Sequence, residues 1–192
     1  MLQNTKGEEI VLHKDQAGII IHLADKKGFT LPYEDVEKLI KLINNYNPFM
    51  GGMKPLYEIG NFMVSPRAGG SIEFKPQWWA TENCRKDGIE NVLITDKQNF
   101  CKELEKTKAF GLQTQGKHAE ALKIFERLFQ NDQENLELLK GIGYSLYEVK
   151  RYADAKAYLD RYVYYAPDKV DAKMTGILTK IQEKLENPYG LI

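Results

Sequence analysis

The rhythm of apolar and polar positions changes along the chain. Between residues 9 and 24 it alternates: Ile10, Leu12, Ile19, Ile21 and Leu23 fall on one face, Val11, His13, Ile20 and His22 on the other. With Gln16 and Ala17 as a two-residue turn, this predicts a hairpin with Leu12 opposite Ile21 and Ile10 opposite Leu23. The period then lengthens. Val36, Leu39, Ile40, Ile43 and Tyr46 recur at helical spacing, Thr30 is placed to cap that helix, and Pro32 stands in its first turn. Residues 56–64 and 71–75 read as two strands around a loop at 65–70, and 90–95 as another. From residue 97 helical spacing dominates, with Asp96 as the N-cap. The expected fold is a small α+β domain over 1–96, its helix packed on one face of a sheet, followed by an all-α domain over 97–192.

Turn residues sharpen this division. The first 95 residues hold nine of the fifteen glycines and five of the seven prolines, so strands and turns belong there and long helices after them.

The second part also repeats itself. An offset of 34 aligns 102–135 with 136–169 at seven identical positions, among them Leu104/Leu138, Leu112/Leu146, Ala121/Ala155 and Arg127/Arg161. Chance alone gives roughly two. The second copy carries Leu139, Ile142-Gly143, Leu146, Ala155, Leu159 and Pro167. This resembles the tetratricopeptide repeat family, whose pattern places Trp, Leu-Gly, Tyr, Ala, Phe and Pro at those points. The first copy keeps Ala109, Leu112, Ala121 and Phe125, departs at Glu105, Lys108 and Gln133, and has a similar turn at Gly116 through Ala121. The resemblance covers roughly 97–186 and implies two helix pairs plus a capping helix over 168–186, with Val170, Met174, Ile177, Leu178, Ile181 and Leu185 along one stripe.

The resemblance also implies a groove lined by the first helix of each pair, which binds a peptide or a partner helix. Carried over by position, its residues are Glu103, Lys106, Phe110 and Gln113, then Glu137, Lys140, Tyr144 and Tyr147, with Asp171, Met174 and Leu178 from the cap. Phe110 and Tyr144 stand where the carboxylate-clamping subset of the family wants Asn, so a chaperone-tail clamp is not expected. Aromatics flanked by lysines favour a ligand with apolar anchors and some acidic character.

Charge changes the picture by exclusion. The 27 basic residues are balanced by 27 acidic ones, and residues 1–100 carry 12 and 13, residues 101–192 carry 15 and 14. Neither part is the basic block of a dedicated nucleic-acid or anionic-membrane binder. The longest apolar runs fall far short of the ~20 residues that span a bilayer. Two cysteines, Cys84 and Cys101, and an N-terminus without a signal-peptide pattern lead to the expectation of a cytoplasmic protein.

Candidate chemistry is sparse. No nucleophile elbow, Walker loop, HExxH or metal-ligand spacing occurs, so no catalytic residue, metal or cofactor is expected. His13 and His22 lie diagonally on one hairpin face without a third ligand. The most site-like segment is 65–70, where Arg67, Gly69 and Gly70 could hold an anion, with Trp78 and Trp79 as a stacking platform or a packing anchor. The tyrosines at 162–165 suit helix packing or a homodimer contact equally. The leading expectation is a non-enzymatic adaptor that binds another protein in the repeat groove. The alternative is a small-ligand or enzymatic N-terminal domain, with the repeats recruiting its substrate.

Overall fold

The computed structural model describes residues 2–3, 7–24, 26–46, 57–59, 62–67, 70–77 and 79–187. Its contacts divide the chain into two compact units, Met1–Gly111 and Leu112–Ile192. The divide falls inside a helix that begins at Lys97, where the sequence changes texture.

The first unit holds two four-stranded antiparallel sheets, each with its strands in sequence order. The first contains β1 (Leu2–Gln3), β2 (Glu9–Lys14), β3 (Gly18–Leu23) and β4 (Phe29–Pro32). The hairpin register is the expected one, with Ile10 opposite Leu23 and Leu12 opposite Ile21. Thr30 does not cap a helix. It is the exposed centre of β4, between buried Phe29 and Leu31, because the alternation of those two outweighs the capping signal. Pro32 ends that strand on the sheet edge, where no ladder donor is lost. A short 3-10 turn over Tyr33–Asp35 leads into α1 (Val36–Asn45), which buries Val36, Leu39, Ile40 and Ile43.

The second sheet contains β5 (Tyr57–Ile59), β6 (Phe62–Pro66), β7 (Ile72–Pro76) and β8 (Val92–Ile94). The segment read as one strand over 56–64 is therefore two strands that pair with each other, Tyr57 opposite Val64. A six-residue helix, α2 (Thr81–Lys86), precedes β8 and was not predicted, being too short to show a period.

Phenylalanine rings run through this unit. Phe29 meets Phe62 at 5.3 Å between centroids, Phe62 meets Phe74 at 6.2 Å, and Phe74 meets Phe100 at 5.6 Å. They join β4, β6, β7 and the start of α3 (Lys97–Thr114) in one core, so α3 opens as part of the sheet unit. Asp96 caps α3 as expected, accepting the Asn99 N–H at 3.0 Å. Gly111 has no side chain because the Tyr33 ring occupies that space, its hydroxyl donating to the Asp15 carbonyl at 2.8 Å.

The second unit is helical: the end of α3, then α4 (His118–Asn131), α5 (Leu136–Glu148), α6 (Tyr152–Tyr165) and α7 (Ala172–Glu186). The 34-residue offset is written into its hydrogen bonds. Lys117 N–H donates to Leu112 and Arg151 N–H donates to Leu146, both at 2.9 Å, closing α3 and α5 in the same way. Gly116 (φ 77°) and Lys150 (φ 65°) take the same left-handed conformation between these helices. Small residues bring the helices together: Ala121 and Ala155 are buried, and the Gly143 backbone packs directly on Leu159. Helix α7 starts later than expected, after a 3-10 turn over Pro167–Lys169. Its stripe is buried at Met174, Ile177 and Ile181 and runs out at the exposed Leu185.

Candidate functional site

In the second unit, α5 and α7 build a charged aromatic cluster. Lys140 and Tyr144 are four residues apart on α5 and so share a face. Asp171 precedes α7 and caps it, accepting the Met174 N–H at 2.8 Å, and its other oxygen takes the Lys140 ammonium at 3.1 Å. The Tyr144 ring lies between two cations, with Lys140 Nζ 5.6 Å and Lys173 Nζ 5.3 Å from its centroid. Lys140 also stands 5.8 Å from the ring of the buried Tyr162.

The electrostatics follow from these contacts. The Met174 N–H and then Lys140 hold the Asp171 carboxyl below its usual range. Partial burial opposes the Lys140 charge, but the Asp171 bond and the tyrosines outweigh it and raise its pKa. Burial raises the Tyr144 phenol, with the Lys140 charge opposing. The Tyr144 hydroxyl is buried, with the Lys140 ammonium beside it. Two ammoniums against one carboxylate, around a half-buried ring, suit an acidic group beside an apolar side chain.

The other residues carried over from the repeat pattern are placed differently. Gln113 donates to the Gly141 carbonyl and the Ser145 hydroxyl, both at 3.0 Å, and is thereby committed to packing on α5. Tyr147 stacks obliquely on Tyr152, 5.9 Å between centroids. Met174 is fully buried, so it is a core residue of the repeat unit and not a surface contact. Lys106 and Phe110 belong to the first unit, where Lys106 pairs with Glu103 at 2.9 Å and Lys14 Nζ lies 5.9 Å from the Phe110 centroid. Lys173 carries no repeat signature and was missed, because only the packing of α7 shows which way that position faces.

In the first unit, Arg67 is already neutralised. Its Nε donates to Glu73 at 2.8 Å, and Asn91 donates to the other Glu73 oxygen at 3.2 Å. Gly70 is left-handed at φ 79°, and the exposed Trp79 donates its indole N–H to Gln77. Gly69 and Trp78 lie outside the described residues. A cleft of about 510 Å³ opens beside this network, with Glu8, Glu73, Arg85 and Glu90 among its lining. Arg67, Trp79, His13, His22 and Cys84 are not among the residues lining it.

The cysteines are buried free thiols. Burial pushes the Cys101 thiol up to about 11, Glu105 adding to the rise, and burial followed by Asp87 raises Cys84. Both are therefore protonated and weakly nucleophilic at neutral pH. Among the described residues, no helix is long and apolar enough to cross a membrane.

Residues 112–181 match the model of the tetratricopeptide repeat family. That match begins where the second compact unit begins and covers α4, α5, α6 and most of α7. No curated protein matches the chain, and no solved structure matches it. Residues 112–181 are thus a tetratricopeptide repeat segment, of a kind that generally mediates protein–protein interaction.

Proposed function

We propose that the chain is a non-enzymatic adaptor whose repeat segment binds another protein, as a peptide or a helix, on the face built by α5 and α7. The observation that carries this reading is the half-buried Tyr144 ring with the Lys140 and Lys173 ammoniums both over it. An apolar side chain of the partner would pack near Tyr144 and Tyr147, and an acidic group would answer the lysines. Lys140 fixes register by exchanging Asp171 for the partner's carboxylate. The test is affinity capture from the organism that makes the protein, using the full chain and a Tyr144→Ala/Tyr147→Ala variant of unchanged helix content. Wild type should enrich one partner and the variant should lose it. Equal enrichment by both overturns the face.

A second reading places a small ligand in the first unit. The cleft of about 510 Å³ favours it, because the buried Glu73 carboxylate lies in its wall and Arg85 stands at its margin. Such a ligand would be polar, with Glu8, Glu73 and Glu90 outnumbering Arg85 in the lining.

A further inference from the structure

The tyrosines near the end of α6 divide between two environments. Tyr162 is buried, whereas Tyr164 is 81% exposed, the most open large apolar side chain among the described residues. Its ring is held edge-on to Tyr165, 5.3 Å between centroids. Tyr164 ends a stripe that faces away from the buried Ala155, Leu159 and Tyr162. Ala153, Ala157, Asp160 and Tyr164 follow one another at helical spacing, and all four are exposed. The stripe is small at its start and large at its end.

Charges flank it in a regular order. Asp154 and Arg161, two turns apart, edge one side, and on the other Lys156 stands beside Asp160. Within one copy, Arg151 holds Asp154 and Lys156 holds Asp160, both at 2.6 Å. Arg161 donates from one nitrogen to the Gln133 carbonyl at 2.9 Å, which leaves donors on its others. Such exposed pairs contribute little and exchange readily.

We propose that the chain forms a homodimer through this outer face of α6, with the two copies of the helix antiparallel. A twofold axis crossing α6 midway between Ala153 and Tyr164 sets Tyr164 of one copy on Ala153 of the other, large on small. The same register brings Arg161 opposite Asp154 and Lys156 opposite Asp160, and symmetry makes each pair twice. A parallel copy is disfavoured, because it sets each residue against itself, Tyr164 on Tyr164 and Arg161 on Arg161. A different protein is a poorer occupant, because size and charge run along α6 in an order complementary to its own reverse. The contact is a single helix pair, at the small end of specific interfaces, so the dimer dissociates at roughly micromolar concentration or above. It uses none of the residues of the α5–α7 face proposed for the partner protein.

Sedimentation equilibrium of the full chain, from micromolar to millimolar concentration, should show a reversible monomer–dimer equilibrium. Asp154→Arg and Arg161→Asp each set like charges against one another at both symmetric sites, so each should weaken self-association roughly tenfold or more. An equimolar mixture of the two variants should associate again at about the wild-type strength, because one copy then carries both cations and the other both carboxylates. Should Arg161→Asp unfold, as circular dichroism would report, Tyr164→Asp decides. That position is exposed, so the dimer should be lost with an unchanged spectrum. A chain monomeric throughout, a dimer indifferent to the single substitutions, or a mixture no tighter than its parts overturns the proposal.

Discussion

The two units pack main chain closely in different ways, and glycine shows the difference. In the sheet unit, a side chain at Gly18 would strike the Leu31 carbonyl and one at Gly28 the Ile21 carbonyl, so the obstacle is a neighbouring strand's backbone. In the repeat unit, a side chain at Gly143 would meet Leu159 Cδ2 at 2.5 Å, and one at Gly141 would meet the Phe125 ring at 2.8 Å. Strand spacing is fixed by hydrogen bonds, whereas the end of a leucine can change rotamer. Where strands meet in the first unit there is no such slack; where helices meet in the repeat unit a side chain can give.

Exchanging these glycines tests the contrast most strongly. Gly18→Ala should cost about 3 kcal/mol or more, since overpacking cannot be relieved without moving a strand. For Gly143→Ala, overpacking of about 1–2 kcal/mol is offset by about 1 kcal/mol of helix propensity, leaving a small net loss. Urea denaturation of both variants checks this, and equal losses would break the comparison. A smaller effect of opposite sign is expected at the repeat turn. Lys150 holds the left-handed conformation that Gly116 holds one period earlier, so Lys150→Gly should stabilise the repeat unit by about 0.5–1 kcal/mol. A lower midpoint for that variant would show that the Lys150 side chain matters more than its backbone.

Acid should give the smallest effect, confined to the repeat unit. The folded Asp171 carboxyl titrates below its ordinary value, so the unfolded chain takes up that proton first as pH falls. The stabilisation is complete above about pH 4 and is lost as pH drops through the depressed folded value. Because Asp171 is exposed, the loss should stay below about 1 kcal/mol. Hydrogen exchange in the first turn of α7, measured with Asp171→Asn as a cap without charge, should show the wild type fraying on acidification and the variant not. Parallel profiles would remove the Lys140–Asp171 bond from the account.

Legibility also differed between the units. The β2–β3 register could be read because ten residues alternate around a turn, and α5 and α6 because Gly143, Ala155 and Leu159 recur with their spacing. Thr30 misled because its capping chemistry is local, while the burial of Phe29 and Leu31 that makes β4 depends on a sheet assembled from distant segments. Of the candidate site, Lys140 and Tyr144 were legible through the repeat, as was Asp171. Gln113 and Met174 were assigned to the groove by position, although packing turns the first onto α5 and the second into the core.

By itself, the sequence determined the class of each part, the 34-residue period and the residues able to line a repeat face, because side-chain periodicity is a local property of helices and strands. The tertiary structure decided what local chemistry cannot specify. It placed the start of α3 in the sheet core and set Lys173 against Tyr144. Each depends on partners remote in sequence, and their positions are fixed only when the whole chain packs.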